Sequence, residues 1–242
     1  MIRVISSAER YHFASDRLST YWHFSFDHYY DPDNVNFGML RVFNDDTIAP
    51  GGGFPEHPHR EMEILTYVLE GQLEHRDSLG NRGVIGAGEL QRMSAGTGIR
   101  HSEYNASKTE PLRLLQFWIH PAERGLRPSW EQKQFTRGQR QSRLLPVASG
   151  QPLEGALRTH QDATVYIASL APGDVLTHEL APGRLAYLFL IDGSLVVNSK
   201  PLAAGDQARV EEEKQLRLRA SQLAELILLD LAEPTARSRS GV

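Results

Sequence analysis

The tripeptide Ala-Pro-Gly occurs at 49–51 and again at 171–173, and each time a turn glycine follows 20 positions later, in "EG" ending at Gly71 and in "DG" ending at Gly193. A third anchor keeps the order, with "AGE" at 87–89 answered by "AGD" at 204–206. Three ordered anchors, two with identical spacing, mark a duplicated unit whose second copy has the shorter central hairpin. Duplication within 242 residues leaves each copy roughly 100 residues in which to form a core. Inside the first copy, turn signals recur at "DPDN" (31–34), "DSLGN" (77–81), "GAGE" (86–89) and "SAGTG" (94–98). Between such turns lie short β-branched and aromatic pieces such as "MLRVF", "ILTYVL" and "LLQFWI". Many short strands with regular turns predict an all-β chain built from barrels or sandwiches. The polar, Arg- and Gln-rich stretch from about Gly125 to Gln151 separates the copies. This gives an N-terminal barrel over 1–130, a connecting segment over 131–150 with room for a short helix, a C-terminal barrel over 151–232 and a polar tail over 233–242.

Composition removes several classes of function. A formal charge of −4 leaves no surplus of Lys and Arg to neutralise a phosphate backbone, so direct nucleic-acid binding is not expected. Without cysteine there is no disulfide, thiolate nucleophile, iron–sulfur cluster or Cys-bound zinc, and any metal must be held by His, Asp or Glu. The absence of cysteine fits a reducing cytoplasm. No apolar run approaches the 18 or so residues of a membrane span, and the N-terminus "MIRVISSAER" lacks the apolar stretch of a secretion signal.

Against that background the placing of the histidines stands out. His57 and His59 are two apart in "EHPHRE", and "GTGIRHSEYN" sets His101 and Glu103 two apart about 40 residues on. On a strand, residues i and i+2 share a face. If the two strands are neighbours, spaced about 4.8 Å, three imidazoles and one carboxylate converge, a donor set for a divalent first-row metal that leaves coordination positions open. Pro58, which has no N–H to donate, suits an edge or irregular strand, and Gly51 to Gly53 can turn the chain sharply into the site. His12, His23, His28, His75, His120 and His160 lack paired spacing and are assigned structural or solvated roles. Trp22, Trp118 and Trp130 are assigned to packing.

"FSFDHYYDP" (24–32), "HPHREMEILTYVLEG" (57–71) and "MSAGTGIRHSEYN" (93–105) resemble the most recognisable blocks of the pirins. The resemblance covers essentially the whole N-terminal half and is strongest to bacterial members with quercetin 2,3-dioxygenase activity. It implies two cupin (double-stranded β-helix, or jelly-roll) barrels packed as a bicupin. The general cupin pattern maps onto Gly51, His57, His59 and Glu63, and in many cupins that Glu is a ligand. Pirins use the carboxylate two residues after the second-motif His, here Glu103, which makes Glu63 the alternative fourth ligand. "HREME" departs from the family at Glu61 and Met62, where many pirins carry Gly and Phe. In the second copy, the 122-residue offset sets Glu179 opposite His57, Ala181 opposite His59 and Leu185 opposite Glu63, and the anchor at Gly205 sets Leu218 and Ala220 opposite His101 and Glu103. No ligand is preserved there, and His178 stands alone.

The resemblance implies one divalent transition metal per chain, iron first, with manganese, nickel, copper, cobalt or zinc able to occupy the same ligands. The implied activity is opening of a flavonol such as quercetin with O₂, with Glu103 both ligand and acceptor of the flavonol proton. A second reading is a redox-responsive metal protein that binds a protein partner without turnover, as eukaryotic pirins do. A Lewis-acid isomerase or hydrolase would need anion-binding residues at the pocket, for which Arg60 and Arg100 are the local candidates. The expected state is a cytoplasmic monomer.

Overall fold

In the computed structural model, which describes residues 1–233, strands form four sheets. The expected tail therefore lies, apart from Glu233, outside the described residues. In the N-terminal half a seven-stranded sheet runs, in spatial order, Ser129–Gln134, Glu89–Ser94, Glu63–Glu70, Leu112–Ile119, Leu40–Ile48, Leu18–Trp22 and Tyr11–Ala14. It faces a four-stranded sheet ordered Gly53–His59, Ile99–Asn105, Gln72–Asp77 and Arg82–Gly86. The C-terminal half repeats the plan. Its four-stranded sheet, Val175–Glu179, Gln215–Ala220, Ser194–Val197 and Lys200–Ala203, has the same order as its counterpart, with a shorter hairpin as the repeat predicts. Gly71 and Gly193 sit at matching hairpin turns with φ of 81° and 85°, each pressed against a neighbouring carbonyl, Pro111 O and Leu223 O, where a Cβ has no room. All-β architecture and duplication are both present.

The two units are not strung end to end. Ile2–Ile5 joins the edge of the second unit's sheet, pairing Ile2 with Val210 and Ile5 with Gln207. Ser129–Gln134 stays with the first unit, and Leu145–Ser149 pairs with Ala163–Leu170 in the second. The intervening segment holds the short helix Arg137–Arg140 that the connecting stretch had room for.

Period two explains where the core lies. Along Leu112–Ile119, Leu115, Phe117 and Ile119 point to one face while Leu114 and Gln116 point to the other, and both faces are buried. Along Arg184–Asp192 the same alternation separates Tyr187 and Phe189 from Leu188 and Leu190. The outward faces of the two large sheets meet in one apolar cluster in which Phe43, Leu65 and Phe117 pack with Tyr187, Phe189, Ile227 and Leu229. A polar seam crosses it. Buried His23 bonds through Nδ1 to the Tyr187 hydroxyl, and Arg209 donates to the His23 carbonyl at 3.0 Å and to Asn34 Oδ1 at 2.8 Å. Burial, with the charges of Arg10 and Arg209, holds His23 neutral, well below its usual pKa.

The barrel interiors differ. Inside the second, Leu188, Leu195, Leu216, Leu218, Ala220 and Leu228 form a continuous apolar cluster. Inside the first, small apolar clusters flank a polar centre that contains Gln91, His75, His101 and Glu103.

Because the largest core is shared, the two units should unfold together. Phe117→Ala is expected to cost about 3–5 kcal/mol and to lower one common transition followed by both far-ultraviolet and aromatic signals. Two separate transitions, with only the first unit shifted, would contradict this reading.

Candidate metal centre

Strands Gly53–His59 and Ile99–Asn105 are antiparallel neighbours, with His57 opposite His101 and His59 opposite Ile99. Gly53–His59 is the edge strand, which accommodates Pro58, and a bulge falls between His101 and Glu103, where Pro55 and Glu56 together oppose Ser102. Gly53, at φ 155°, lets the edge strand lie against its partner, since a Cβ there would meet Glu103 O at 2.3 Å. The three expected imidazoles converge, while Glu103 falls in a second, overlapping group that shares only His101 with the first. One donor atom from each of His57, His59 and His101 lies within 4.8 Å of the other two, and the same holds for His75, His101 and Glu103.

The tautomers follow from neighbours. His57 Nδ1 donates to the Pro55 carbonyl at 2.8 Å, which leaves Nε2 bare. That nitrogen faces His101 Nε2 at 3.1 Å. His59 stands edge-on to His57, His101 and Trp118, with ring centroids 4.7, 4.9 and 4.8 Å away. Burial first, and then neighbouring imidazoles, push both His59 and His101 down to about 3. At neutral pH neither ring holds a proton that a cation must displace.

Glu103 is buried, and its carboxylate is clamped by two amides. Gln91 Nε2 donates to Oε1 and Gln116 Nε2 to Oε2, both at 2.8 Å. Each glutamine is oriented in turn by a tryptophan: Trp130 Nε1 donates to Gln91 Oε1 at 2.7 Å and Trp118 Nε1 to Gln116 Oε1 at 3.1 Å. The indoles fix which end of each amide is the donor. Two neutral donors orient a carboxylate without cancelling its charge, and an uncompensated buried charge is costly. These donors, imidazoles of which His59 and His101 are held neutral by burial, with a carboxylate beside His101, are of the kind that fits a divalent cation.

Some expectations are extended here and others corrected. His75 has a structural place, as assigned, but within the centre, where it is wholly buried; Trp118 and Trp130 pack as expected and also carry the amide clamp. Trp22 does pack, stacked on Tyr11 and Phe13. Glu63, the alternative fourth ligand, points the other way. It shares parity with Leu65 and Tyr67, so its strand turns it toward the second barrel, where Oε1 meets His160 Nδ1 at 3.2 Å and Oε2 accepts from Ser94 at 3.0 Å. In the second barrel the ladder shifts the alignment by three residues: Leu218 lies opposite Leu176, as His101 lies opposite His57, so that His178 rather than Ala181 corresponds to His59. His178 is bonded to Asp230 at 2.8 Å, and the other matching positions are Leu176, Leu218 and Ala220. Glu61, where many pirins carry Gly, adopts φ 52°; its carboxylate accepts from the Gly125 N–H at 3.1 Å, which offsets the strain of that backbone conformation.

Beside the histidines a cleft of about 360 Å³ opens to solvent, lined by Pro58, His59, Arg60, Ser78, Ile99 and Arg100 among others. Arg100 is paired with Glu56 at 2.8 Å. Met62, Trp118 and Trp130 pack on the Ile64, Met93 and Ile99 cluster that forms the adjoining wall.

Fold and site together define a bicupin with a metal-competent first barrel. Residues 5–119 match the family described as Pirin, and residues 146–231 match the one described as Quercetinase C-terminal cupin domain. The chain belongs to the pirin family. It is 42% identical over 231 residues to the quercetin 2,3-dioxygenase of Escherichia coli K12, covering 96% of this chain and 99% of that protein. It is 46% identical to a pirin-like protein of Caulobacter vibrioides, covering 87% and 90%. Among solved structures, the bacterial pirin YhhW of E. coli in complex with nickel(II) superposes with a TM-score of 0.92 at 41% identity, covering 97% and 100%.

One interior carboxyl makes a pH test possible. Asp46, opposite Thr20 and wholly buried, is pushed up to about 7 by burial and then by the charges of Asp45 and Glu103. A group whose pKa is raised by folding contributes stability below its unfolded value, here 3.8, and loses it as pH rises toward 7. Asp46→Asn should therefore flatten the fall in stability of the metal-free protein between pH 4 and 7 and leave it more stable than wild type at pH 8. Urea titrations across that range check this, and parallel curves for the two proteins would refute it.

Proposed function

We propose that the chain holds one divalent transition metal, iron first, in its N-terminal barrel through His57, His59, His101 and Glu103, and that it opens a flavonol such as quercetin with O₂. The observation that carries this reading is the buried Glu103 carboxylate, clamped by neutral donors only and set beside imidazoles held unprotonated. Family membership and the E. coli relatives support it. In this reading the C-terminal barrel, with Leu176, Leu218 and Ala220 at the ligand register, binds no metal and serves to complete the shared core. The division into a metal-binding first barrel, a connecting segment and a metal-free second barrel belongs to the same proposal, as does action as a cytoplasmic monomer.

A bound redox-capable metal would supply the one-electron chemistry that a closed-shell flavonol needs to react with O₂. The chain's own residues do the rest. Glu103 spends one acceptor site of each oxygen on a glutamine and keeps the others, so it can take the proton of the flavonol hydroxyl. Trp118, Met62 and Ile99 offer an apolar wall for the aromatic rings, and the open cleft at His59 admits them. Arg100 is engaged with Glu56, which weakens the case for a Lewis-acid enzyme that grips an anion there.

Iron-loaded protein is expected to consume O₂ and quercetin together, seen as loss of the flavonol's near-visible absorbance, with no loss under anaerobic conditions. His57→Ala and His101→Ala should abolish turnover by emptying the site. Glu103→Gln should lower activity per bound metal by roughly 10²-fold; near-wild-type activity per metal would reduce Glu103 to a ligand alone. A fully loaded wild-type protein that turns over no flavonol would favour the metal-dependent regulatory reading with a protein partner.

A further inference from the structure

His75 is the one buried histidine of the centre to which the proposed function gives no task. Its ring lies nearly parallel to Trp130, with centroids 5.3 Å apart and 14° between planes, and its Nε2 meets Asp77 Oδ2 at 3.2 Å. Asp77 is itself fixed. Its Oδ1 accepts from the backbone N–H groups of Leu79 and Asn81 at 3.0 Å, and its Oδ2 from the Asn81 amide at 2.9 Å. A carboxylate so held acts as acceptor, so His75 carries its proton on Nε2 and turns a bare Nδ1 inward. That Nδ1 is buried without a hydrogen-bond partner, 4.0 Å from Glu103 Oε1.

His101 has the complementary deficit. If His101 gives its Nε2 to the metal, as proposed above, its own proton belongs on Nδ1, and that atom too is buried without a partner. The two rings are 5.3 Å apart between centroids, on paired strands in which His101 lies opposite Asp77 and Glu103 opposite His75. In that state one ring offers an N–H and the other a lone pair, and a ligand atom of each lies within 4.8 Å of the other.

We propose that Asp77 and His75 form a positioning pair for the metal ligand His101, with His75 Nδ1 accepting from His101 Nδ1–H, directly or through one bridging water. The pair fixes the tautomer and the angle at which His101 presents Nε2. This rests on the metal reading proposed above. Metal-bound histidines commonly donate their second N–H to such a group, and its loss typically lowers affinity 10- to 100-fold.

Zinc(II) is the probe, titrated against a competing chelator. His75→Phe keeps the ring stacked on Trp130 and removes both nitrogens; it should weaken zinc binding by about 10- to 100-fold, with the metal-free protein's thermal transition little changed. Asp77→Asn should cost less, and the double variant no more than His75→Phe alone, because both act through one contact. His75→Gln, which restores an acceptor, should recover part of the affinity. If His75→Phe does not fold, ¹⁵N histidine resonances of zinc-loaded wild type decide, with His75 expected protonated at Nε2 and His101 at Nδ1. The inference is overturned by zinc affinity in His75→Phe within about twofold of wild type, by the opposite tautomer at either ring, or by two zinc ions per wild-type chain, which would make His75 a ligand. Wild type that binds no zinc would overturn the metal reading itself.

Discussion

Everything in the first barrel is arranged around one negative charge taken out of water. Glu103 sits at the convergence of two amide donors whose orientation is dictated by two indoles, so four side chains from three strands fix one carboxylate in place. Such a clamp supplies direction without neutralisation. Burial of a carboxylate is tolerable only with compensation, and amide dipoles provide part of it. Nearby, Asp46 is kept from ionising readily by its own burial first and then by the charges of Asp45 and Glu103. A divalent cation among these imidazoles, as proposed, would compensate the carboxylate. The same rigidity has a chemical use, because a ligand that cannot swing away keeps its free lone pairs at a defined place when a substrate hydroxyl arrives.

The second barrel shows what the fold does without that charge. Its strands keep the same ladder, with Leu218 opposite Leu176 where the first barrel has His101 opposite His57, and its interior closes with leucine and alanine. One His survives at the register of His59, and it bonds to Asp230, which also holds Arg184. Duplication thus separated two demands that conflict within one core: dense apolar packing, and a buried polar centre beside an open cleft. Shared burial across the large sheets lets the apolar copy stabilise the polar one.

Much of this was legible in the chain. Paired glycine turns disclosed the duplication, the two i, i+2 pairs disclosed the imidazole cluster, and Pro58 disclosed an edge strand, because each reflects a local rule of backbone geometry. What escaped depends on which strands become neighbours. His75 has no spacing signature and enters the centre only through pairing with Ile99–Asn105. Gln91 and Gln116 were visible only as polar interruptions in strands otherwise buried, and nothing in sequence joins them to Glu103. Glu63 was offered as a ligand by motif, yet strand parity turns it toward His160. The offset between copies misaligned the second barrel by three residues because glycine anchors mark turns, and loop lengths between turns differ.

The strand Ile2–Ile5 has a bearing on how the molecule is made. It precedes the first barrel in sequence but closes the edge of the second, beside Gln207–Val210. During synthesis the leading segment leaves the ribosome long before its partner exists, so the first barrel must assemble while that segment stays unpaired, an open strand able to join any other exposed edge. The contact spans about 200 residues of chain, the kind of distant closure that slows folding. That pairing ties the start of the first half to the far end of the second, and it completes the edge of the second unit's large sheet.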